Sequence, residues 1–437
     1  MRRTEVPLDV LDQLRQLLVR GKFSSHVAVL ASGTVLGQAA VFVVTPLLTR
    51  LYSPADLAIF GLLTSFLAVA SIAVALRLEL AIATTHDEGE ATRLLLACLV
   101  LTPIVGLLLS GMLAAMVSLD VLSYGLLPGW SVVLTFLALV LTGWFISLRY
   151  WHVGRHEFRP VGRALILQGV ARAGSTVAFG FANFAWLGLM LGEIAGRAFG
   201  IRRLWVAAKA AVQQEITSYG IRRVPATISG ASGFVCTVMP SSLINALAAA
   251  VPLPILLTLF GPEPAGQFAL AWRVASVPGA LVAASVGDVF HAHATWAHAN
   301  PAGDVPGLLR NTLRKLAIAS TFIYLPACLI APSIFGWLFG SAWRPAGTLV
   351  LLLLPLWWAS MVVAPVSRLP IVLGRPSLKL LFDSMFLILP VIALFLFSER
   401  GFDTAVFAFG LGAATALLAY AAVLLHMTSR SNAVGQA

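Results

Sequence analysis

The chain has 437 residues, of which 59% are hydrophobic and 11% charged, and its mean hydropathy is +0.92. A soluble domain carries roughly 25% charged residues, and disorder needs low hydrophobicity with high charge, so both are excluded. Few charges and long apolar runs mark a chain that crosses a membrane many times. The charges nonetheless sum to +11, from 29 Lys and Arg against 18 Asp and Glu, and the placement of the basic residues decides what that excess means.

Residues 1–26 are of mixed polarity. Leu8, Leu11, Leu14, Leu17 and Leu18 fall near helical spacing beside Arg15 and Arg20, which predicts either an amphipathic helix on the inner leaflet or a loose tail. The position of the first apolar run, after this polar stretch, argues against a cleaved signal. A membrane helix needs roughly 20 apolar residues. Twelve such runs follow: 27–50, 57–82, 92–117, 127–150, 162–182, 184–206, 226–258, 265–292, 311–333, 345–367, 377–397 and 404–427. The seventh holds Pro240, Pro252 and Pro254 and is expected to be kinked or broken. Spans 1–6 form an N-terminal lobe over 27–206. A basic linker over 207–225 divides the chain, spans 7–12 form a C-terminal lobe over 226–430, and 431–437 is a tail. The segments between spans are short, so no soluble domain is expected on either face.

Alternation of twelve spans puts 22 of the 29 basic residues on one side, among them Arg155, Arg159, Arg202, Arg203, Arg314 and Lys379, and only Arg50, Arg344 and Arg400 on the other. The positive-inside rule then places both termini in the cytoplasm. Most of the net charge is therefore orientation. Trp130, Trp151, Trp186, Trp205, Trp296, Trp337 and Trp343 fall near span ends, where an interfacial belt is expected. Cys98, Cys236 and Cys328 each lie in an apolar run and read as small core residues.

The midpoint linker invites a search for duplication. At an offset of 208 residues, Pro46–Leu62 aligns without gaps on Pro254–Leu270, matching Pro46 with Pro254, Leu51 with Leu259, Pro54 with Pro262, Phe60 with Phe268 and Leu62 with Leu270. Both pieces are the end of one span, a tight turn and the start of the next. The expected fold class is thus all-α, a polytopic membrane protein of about twelve transmembrane helices in two six-helix pseudo-repeat lobes around a central cavity, working by alternating access.

Several local sequences then point to a family. Thr49-Arg50-Leu51-Tyr52-Ser53-Pro54 with Asp56, and Leu76-Arg77-Leu78-Glu79-Leu80-Ala81-Ile82, open the first half. Pro240-Ser241, Ile244-Asn245, Phe260-Gly261-Pro262, Phe268-Ala269-Leu270-Ala271-Trp272-Arg273 and Pro278 open the second. Together they resemble the Wzx-type O-antigen and exopolysaccharide flippases of the multidrug/oligosaccharidyl-lipid/polysaccharide exporter superfamily. The Ala-x-Arg-x-x-x-x-Pro arrangement at span 8 also looks like the lipid II flippases, in which an arginine there lines the cavity. Departures are Asp288, where an uncharged polar residue is expected, and twelve spans rather than fourteen. The resemblance implies a substrate, an undecaprenyl-diphosphate-linked oligosaccharide moved from the inner to the outer leaflet of the bacterial inner (plasma) membrane. It also implies partners, a polysaccharide polymerase and the chain-length machinery.

Ionisable groups at bilayer depth are costly and face a cavity or a partner. Arg273 lies near mid-depth of span 8 with no acid three or four residues away. It reads as a fork-shaped donor for a diphosphate or as a structural tie. Arg172 is mid-span 5 without an acid within a turn. Glu193 and Arg197 are i,i+4 with Glu first, the favourable order for an intrahelical pair. Arg77 and Glu79 are two apart, about 200° around a regular helix, so only one faces a given cavity, and snorkelling is the other reading. Arg273, Arg172, Arg77 and Arg197 are the candidate substrate cations; Glu79, Glu193, Asp288 and Asp383 are the candidate ion-coupling acids, with His291 one turn from Asp288. No G-x-x-x-x-G-K-[ST] occurs, so ATP is not expected to be used directly and no cofactor is expected; uphill movement then requires an ion gradient, of protons or sodium, or a partner. His291, His293 and His298 do not share one helix face, so no metal is expected. The basic segments fit acidic lipid headgroups and topology rather than nucleic acid.

Three alternatives stay open. A drug exporter of the same superfamily favours acidic cavity groups. A major-facilitator transporter needs a basic turn between spans 2 and 3, where this chain reads ATTHDEGEATR. A membrane polymerase or ligase needs a large outer loop.

Overall fold

The computed structural model describes residues 22–85, 87–218, 220, 227–228, 232–300 and 303–435. The expected amphipathic segment before Lys22 lies outside them. Among the described residues there is no strand. The chain runs as α1 (Lys22–Leu51), α2 (Pro54–Ala73), α3 (Leu78–Thr84), α4 (Glu88–Ser118), α5 (Ser131–Gly154), α6 (Phe158–Phe181) and α7 (Ala185–Ser218). It continues as α8 (Ser232–Ala250), α9 (Pro252–Phe260), α10 (Pro262–Ala299), α11 (Val305–Leu338), α12 (Arg344–Leu352), α13 (Leu354–Val363), α14 (Leu369–Val372), α15 (Pro376–Phe397) and α16 (Phe402–Gly435).

Among the described residues, eleven helices are long and apolar enough to cross a membrane. The protein is therefore an all-α polytopic membrane protein. The sixth expected span, 184–206, is helical within α7, but Glu193, Arg197, Arg202, Arg203, Lys209 and Glu215 leave every 18-residue stretch of that helix (Ala185–Ser218) with at least three charged groups. Side chains such as Leu108, Val133, Phe322 and Trp337 are exposed along the helices, as contact with lipid requires.

Three expected spans are discontinuous. The proline-bearing seventh is divided at Val251, between α8 and α9, by the missing N–H groups of Pro252 and Pro254, although Val251 keeps helical φ and ψ (−67°, −30°) and donates to Leu247 O at 2.9 Å. The second is broken between α2 and α3, where Leu76 and Arg77 adopt φ of 51° and 61°. The tenth is interrupted at Leu353, two residues before Pro355 in the first turn of α13, because proline cannot donate to the carbonyl one turn back. Helix α7 also continues through much of 207–225, so charge marks that segment better than irregular structure does.

By contacts the chain forms two compact units that interleave along the sequence. Unit 1 takes Met1–Leu48, Ala73–Met112 and Trp130–Thr237; unit 2 takes Thr49–Ile72, Leu113–Gly129 and Val238–Ala437. The core of unit 1 gathers Leu78, Ile82, Leu95, Cys98, Trp151, Val161 and Leu204, all buried. Cys98 and Cys328 are buried and free.

Unit 2 contains both copies of the repeated turn. Ser53 caps α2: its hydroxyl meets Asp56 Oδ2 at 2.7 Å, its N–H donates to the same oxygen at 3.0 Å, and Asp56 N–H donates to the hydroxyl at 3.2 Å. This is a capping box with Pro54 at the first helical position. In the second copy Gly261, at φ 83°, ends α9, and Pro262 opens α10. The copies pack on each other. A Cβ added to Gly61 would lie 3.8 Å from the Cβ of Ala269, and these two positions correspond under the 208-residue offset, as residues beside a two-fold axis do. Trp343, 1% exposed, donates its indole N–H to Thr49 O at 2.8 Å, satisfying a carbonyl in the last turn of α1.

Gly266 lies where an added Cβ would come within 1.8 Å of Pro54 O. Gly266→Ala is expected to destabilise unit 2 by about 1–3 kcal/mol through overpacking. Gly111→Ala, with nothing within 4 Å of the new methyl, is expected to be neutral or stabilising. Thermal unfolding of the two variants in detergent checks the contrast.

Candidate functional site

Helices α6 and α7 pack antiparallel across the 182–184 turn, and small residues set their separation. Gly192, Gly196 and Gly200 recur every fourth residue of α7. An added Cβ at Gly192 would meet Thr176 Oγ1 at 2.2 Å, one at Gly196 would meet Arg172 Cβ at 2.8 Å, and one at Gly200 would meet the Phe145 ring at 2.7 Å. Such a small-residue stripe lets membrane helices approach closely. The closeness puts Arg172 of α6 against Glu193 of α7. Arg172 Nε lies 2.8 Å from Glu193 Oε2, and Arg197 Nη2 lies 2.8 Å from Glu193 Oε1.

One carboxylate therefore serves two guanidiniums. The Glu193 side chain is 6% exposed, those of Arg172 and Arg197 28% and 22%, so the acid is enclosed while the arginines keep open surface. The triad carries one surplus positive charge, and each guanidinium has five donors in a planar fork. Arg197 Nε is buried without a hydrogen-bond partner. The site can accept an anion with several acceptor oxygens.

Arg77 and Glu79 meet in a way a regular helix forbids. The left-handed backbone at Arg77 (φ 61°, ψ 8°) starts α3 and brings its Nη1 to 3.4 Å from Glu79 Oε1. The separation of about 200° expected for these two side chains is thus corrected, because the helix is broken between them.

Arg273, in unit 2, is half-buried on α10, beside Trp272, which packs edge-on to Trp357 with centroids 5.0 Å apart. Just beyond it the helix ladder opens. Tyr324 of α11, 3% exposed, donates its hydroxyl to Ala275 O at 3.0 Å and accepts from Gly279 N–H at 2.9 Å. A hydroxyl inserted next to Pro278 is a recognised cause of a helix bend, and here it re-pairs both groups that the opening frees. Of the other candidate acids, Asp383 is 1% exposed and paired with Lys379 one turn earlier, and Asp288 is exposed on α10. No ion pair between Asp288 and His291 is present among the described groups, and no cluster of three or more metal-binding side chains occurs among the described residues.

The structure thus joins Arg172, Glu193 and Arg197 in unit 1, joins Arg77 to Glu79 in the same unit, and pairs Asp383 with Lys379. Sequence reasoning missed Tyr324 and the partnership of Arg172 with Glu193. The available signals were Pro278 facing an apolar helix that carries a lone tyrosine, and the glycine spacing of α7.

Residues 47–347 match the family described as polysaccharide biosynthesis protein, and the chain belongs to that family. In fold it is similar to the lipid II flippase MurJ in an inward closed conformation, with a TM-score of 0.66 at 12% identity, over 92% of this chain and 87% of that one. It is similar also to an inward-facing multidrug resistance MATE transporter of the MOP superfamily (TM-score 0.55, 14% identity, 93% and 94% covered). A Vibrio cholerae MATE transporter, VcmN, gives a TM-score of 0.56 at 13% identity over 93% and 98%. No curated protein sequence matches significantly. The chain is therefore a polysaccharide-biosynthesis protein with the transporter fold that MurJ and MATE proteins share.

Removing one partner of a buried ion cluster leaves uncompensated charge, at a cost of about 3–5 kcal/mol. Glu193→Ala is expected to approach the lower end of that range, since its arginines keep some solvent, whereas Asp288→Ala at an exposed position is expected to stay within about 0.5 kcal/mol. Tyr324→Phe, which unpairs Ala275 O and Gly279 N–H, is expected to cost about 1–3 kcal/mol. Melting temperatures of the three purified variants check this order.

Proposed function

We propose that the protein flips undecaprenyl-diphosphate-linked oligosaccharide repeat units across the bacterial inner membrane, from the inner to the outer leaflet, for O-antigen or exopolysaccharide assembly. The observation that carries the reading is the surplus positive charge of the Arg172–Glu193–Arg197 triad, enclosed yet open on its guanidinium side. A diphosphate offers the planar arginine fork several acceptor oxygens and the negative charge the triad lacks. The family match gives the pathway class. The fold likeness to a lipid II flippase gives the precedent for a lipid-linked substrate.

Depth fits the same reading. Arg172 lies nine residues from the end of α6, about 14 Å along the helix, and Arg197 twelve residues from the start of α7, about 18 Å. Arg273 lies eleven residues into α10, about 16 Å. Each distance is about half of a hydrocarbon core of ~30 Å. The lipid tail stays in the bilayer while the cationic groups replace water around the headgroup, and alternating access moves that headgroup between faces. Both termini face the cytoplasm, and a gradient of protons or sodium drives the cycle. The product leaves on the face where a polymerase and chain-length machinery consume it. A drug exporter, with a cavity set for cations by free acids, fits less well: Glu193 is committed to two arginines and Asp383 to Lys379.

Arg172→Ala and Arg273→Ala are expected to abolish surface polysaccharide with membrane levels of the protein unchanged, and the lipid-linked repeat is expected to accumulate on the inner leaflet. Leaflet-specific labelling of the glycolipid in cells carrying each variant is the measurement. Accumulation on the outer leaflet instead would make the protein a polymerase or ligase, and full surface polysaccharide in Arg172→Ala would remove the triad from the mechanism.

A further inference from the structure

Four candidate acids stand on helices, Glu79 on α3, Glu193 on α7, Asp288 on α10 and Asp383 on α15, and they are compensated very differently. Glu193 has two guanidiniums at 2.8 Å. Asp383 has the ammonium of Lys379. Asp288 is exposed. Glu79 is 2% exposed, yet its ion pair is one contact of 3.4 Å from Oε1 to Arg77 Nη1. Its Oε2, buried, has no hydrogen-bond partner, and neither has the buried Nε of Arg77. A buried ion pair repays its desolvation only when geometry is good and the remaining polar atoms are bonded; a backbone hydrogen bond at Glu79 itself supports its carboxylate, but of the three buried acids Glu79 has the longest ion-pair contact.

The backbone explains the poor geometry. Leu76 and Arg77 are consecutive left-handed residues, φ 51° and 61°, and neither is glycine. Each such residue costs roughly 1–2 kcal/mol, and strain of this kind persists only where surrounding packing enforces it. Val74, Ala75 and Leu78 around the break are all buried. The titratable groups facing Glu79 are Arg77 on its own segment, Arg149 from α5 and Cys98 from α4. One turn from Cys98, the Thr102 hydroxyl is 0% exposed and has no hydrogen-bond partner. It lies at the foot of the break, sharing the space beside Gly143 with Val74 Cγ1. A buried carboxylate oxygen and a buried hydroxyl, both unpartnered, flank one helix break.

The occupant follows from charge. Two guanidiniums beside Glu79 repel an entering metal cation, whereas a proton removes the charge that is poorly held. We propose that Glu79 is the proton-carrying group of this protein: a proton taken from water binds Oε2, the carboxylate becomes a neutral acid, and the contact with Arg77 dissolves. The Arg77 guanidinium is then free to take an anion in place of Glu79. Proton loading and anion binding are linked through one arginine, and release of the proton restores the pair. The proposal rests on the gradient-driven reading above and selects proton over sodium and Glu79 over the other three acids.

The test is infrared difference spectroscopy of the full-length protein in lipid nanodiscs as pH is lowered, without any glycolipid. The expected result is a protonated-carboxyl C=O band that grows as pH falls, is lost in Glu79→Gln, returns with a displaced midpoint in Glu79→Asp, and is kept in Glu193→Gln and Asp383→Asn. Arg77→Gln provides a variant that leaves the acid in place: loss of the neighbouring positive charge is expected to move the midpoint to higher pH. A band unchanged in Glu79→Gln, a band lost in Glu193→Gln or Asp383→Asn instead, or an unmoved midpoint in Arg77→Gln overturns the proposal. A titrating Glu79 band in a protein that does not flip the glycolipid leaves the proton site and sinks the flippase reading; flipping with no such band does the reverse.

Discussion

An ionised side chain on a membrane helix needs an opposite charge at contact distance, and in unit 1 a single carboxylate meets that need for two arginines. The Glu193 side chain can do so only because α6 and α7 come close enough for Arg172 to reach across, and they come close because Gly192, Gly196 and Gly200 present no side chains at the seam. The geometry has a chemical consequence. Two positive charges against one negative leave a cluster that is paired yet carries a net positive charge. The same need for compensation is met less well at Arg77 and Glu79, where a strained break replaces close helix packing. One pair is held and the other is poised.

The sequences that mark the family turn out to serve the fold before the chemistry. Ser53, Pro54 and Asp56 build a capping box, and the carbonyl of Thr49 is the acceptor for buried Trp343. Phe260-Gly261-Pro262 builds the corresponding turn of the second copy, and the two copies meet at Gly61 and Ala269. The arginine motif around Arg273 is partly structural as well, since its Pro278 opens a ladder that Tyr324 must close. Motifs of this kind fix where a cation stands.

Much of the fold was legible in the sequence because lipid imposes a simple rule: helices must be apolar over a fixed length. The spans at 92–117, 162–182 and 377–397 fall within α4 (Glu88–Ser118), along α6 (Phe158–Phe181) and within α15 (Pro376–Phe397). Their ends differ because helices continue past the apolar stretch into polar residues, as α7 does to Ser218. Prolines announced the break at Val251 but not the one at Leu76, where no proline or glycine occurs and tertiary packing alone enforces the left-handed turn. The site was half legible. Each embedded charge could be picked out singly, and Glu193 with Arg197 follows from i,i+4 spacing. The link from Arg172 to Glu193 could not be read, because it depends on a distance between two helices that the glycine stripe sets.

The account stands on the claim that the open side of the arginine triad carries a diphosphate headgroup across the bilayer. The most direct measurement is transport by the purified protein in proteoliposomes. Undecaprenyl-diphosphate-linked oligosaccharide is placed in one leaflet, and its appearance in the other is followed with a membrane-impermeant sugar-binding probe. The account predicts that the wild-type protein equilibrates the glycolipid between leaflets and that the Arg172→Ala, Arg197→Ala double variant, folded and reconstituted to the same level, does not exceed empty liposomes. Equal transport by the wild-type and double-variant proteins, or none by the wild type under an imposed ion gradient, would contradict it.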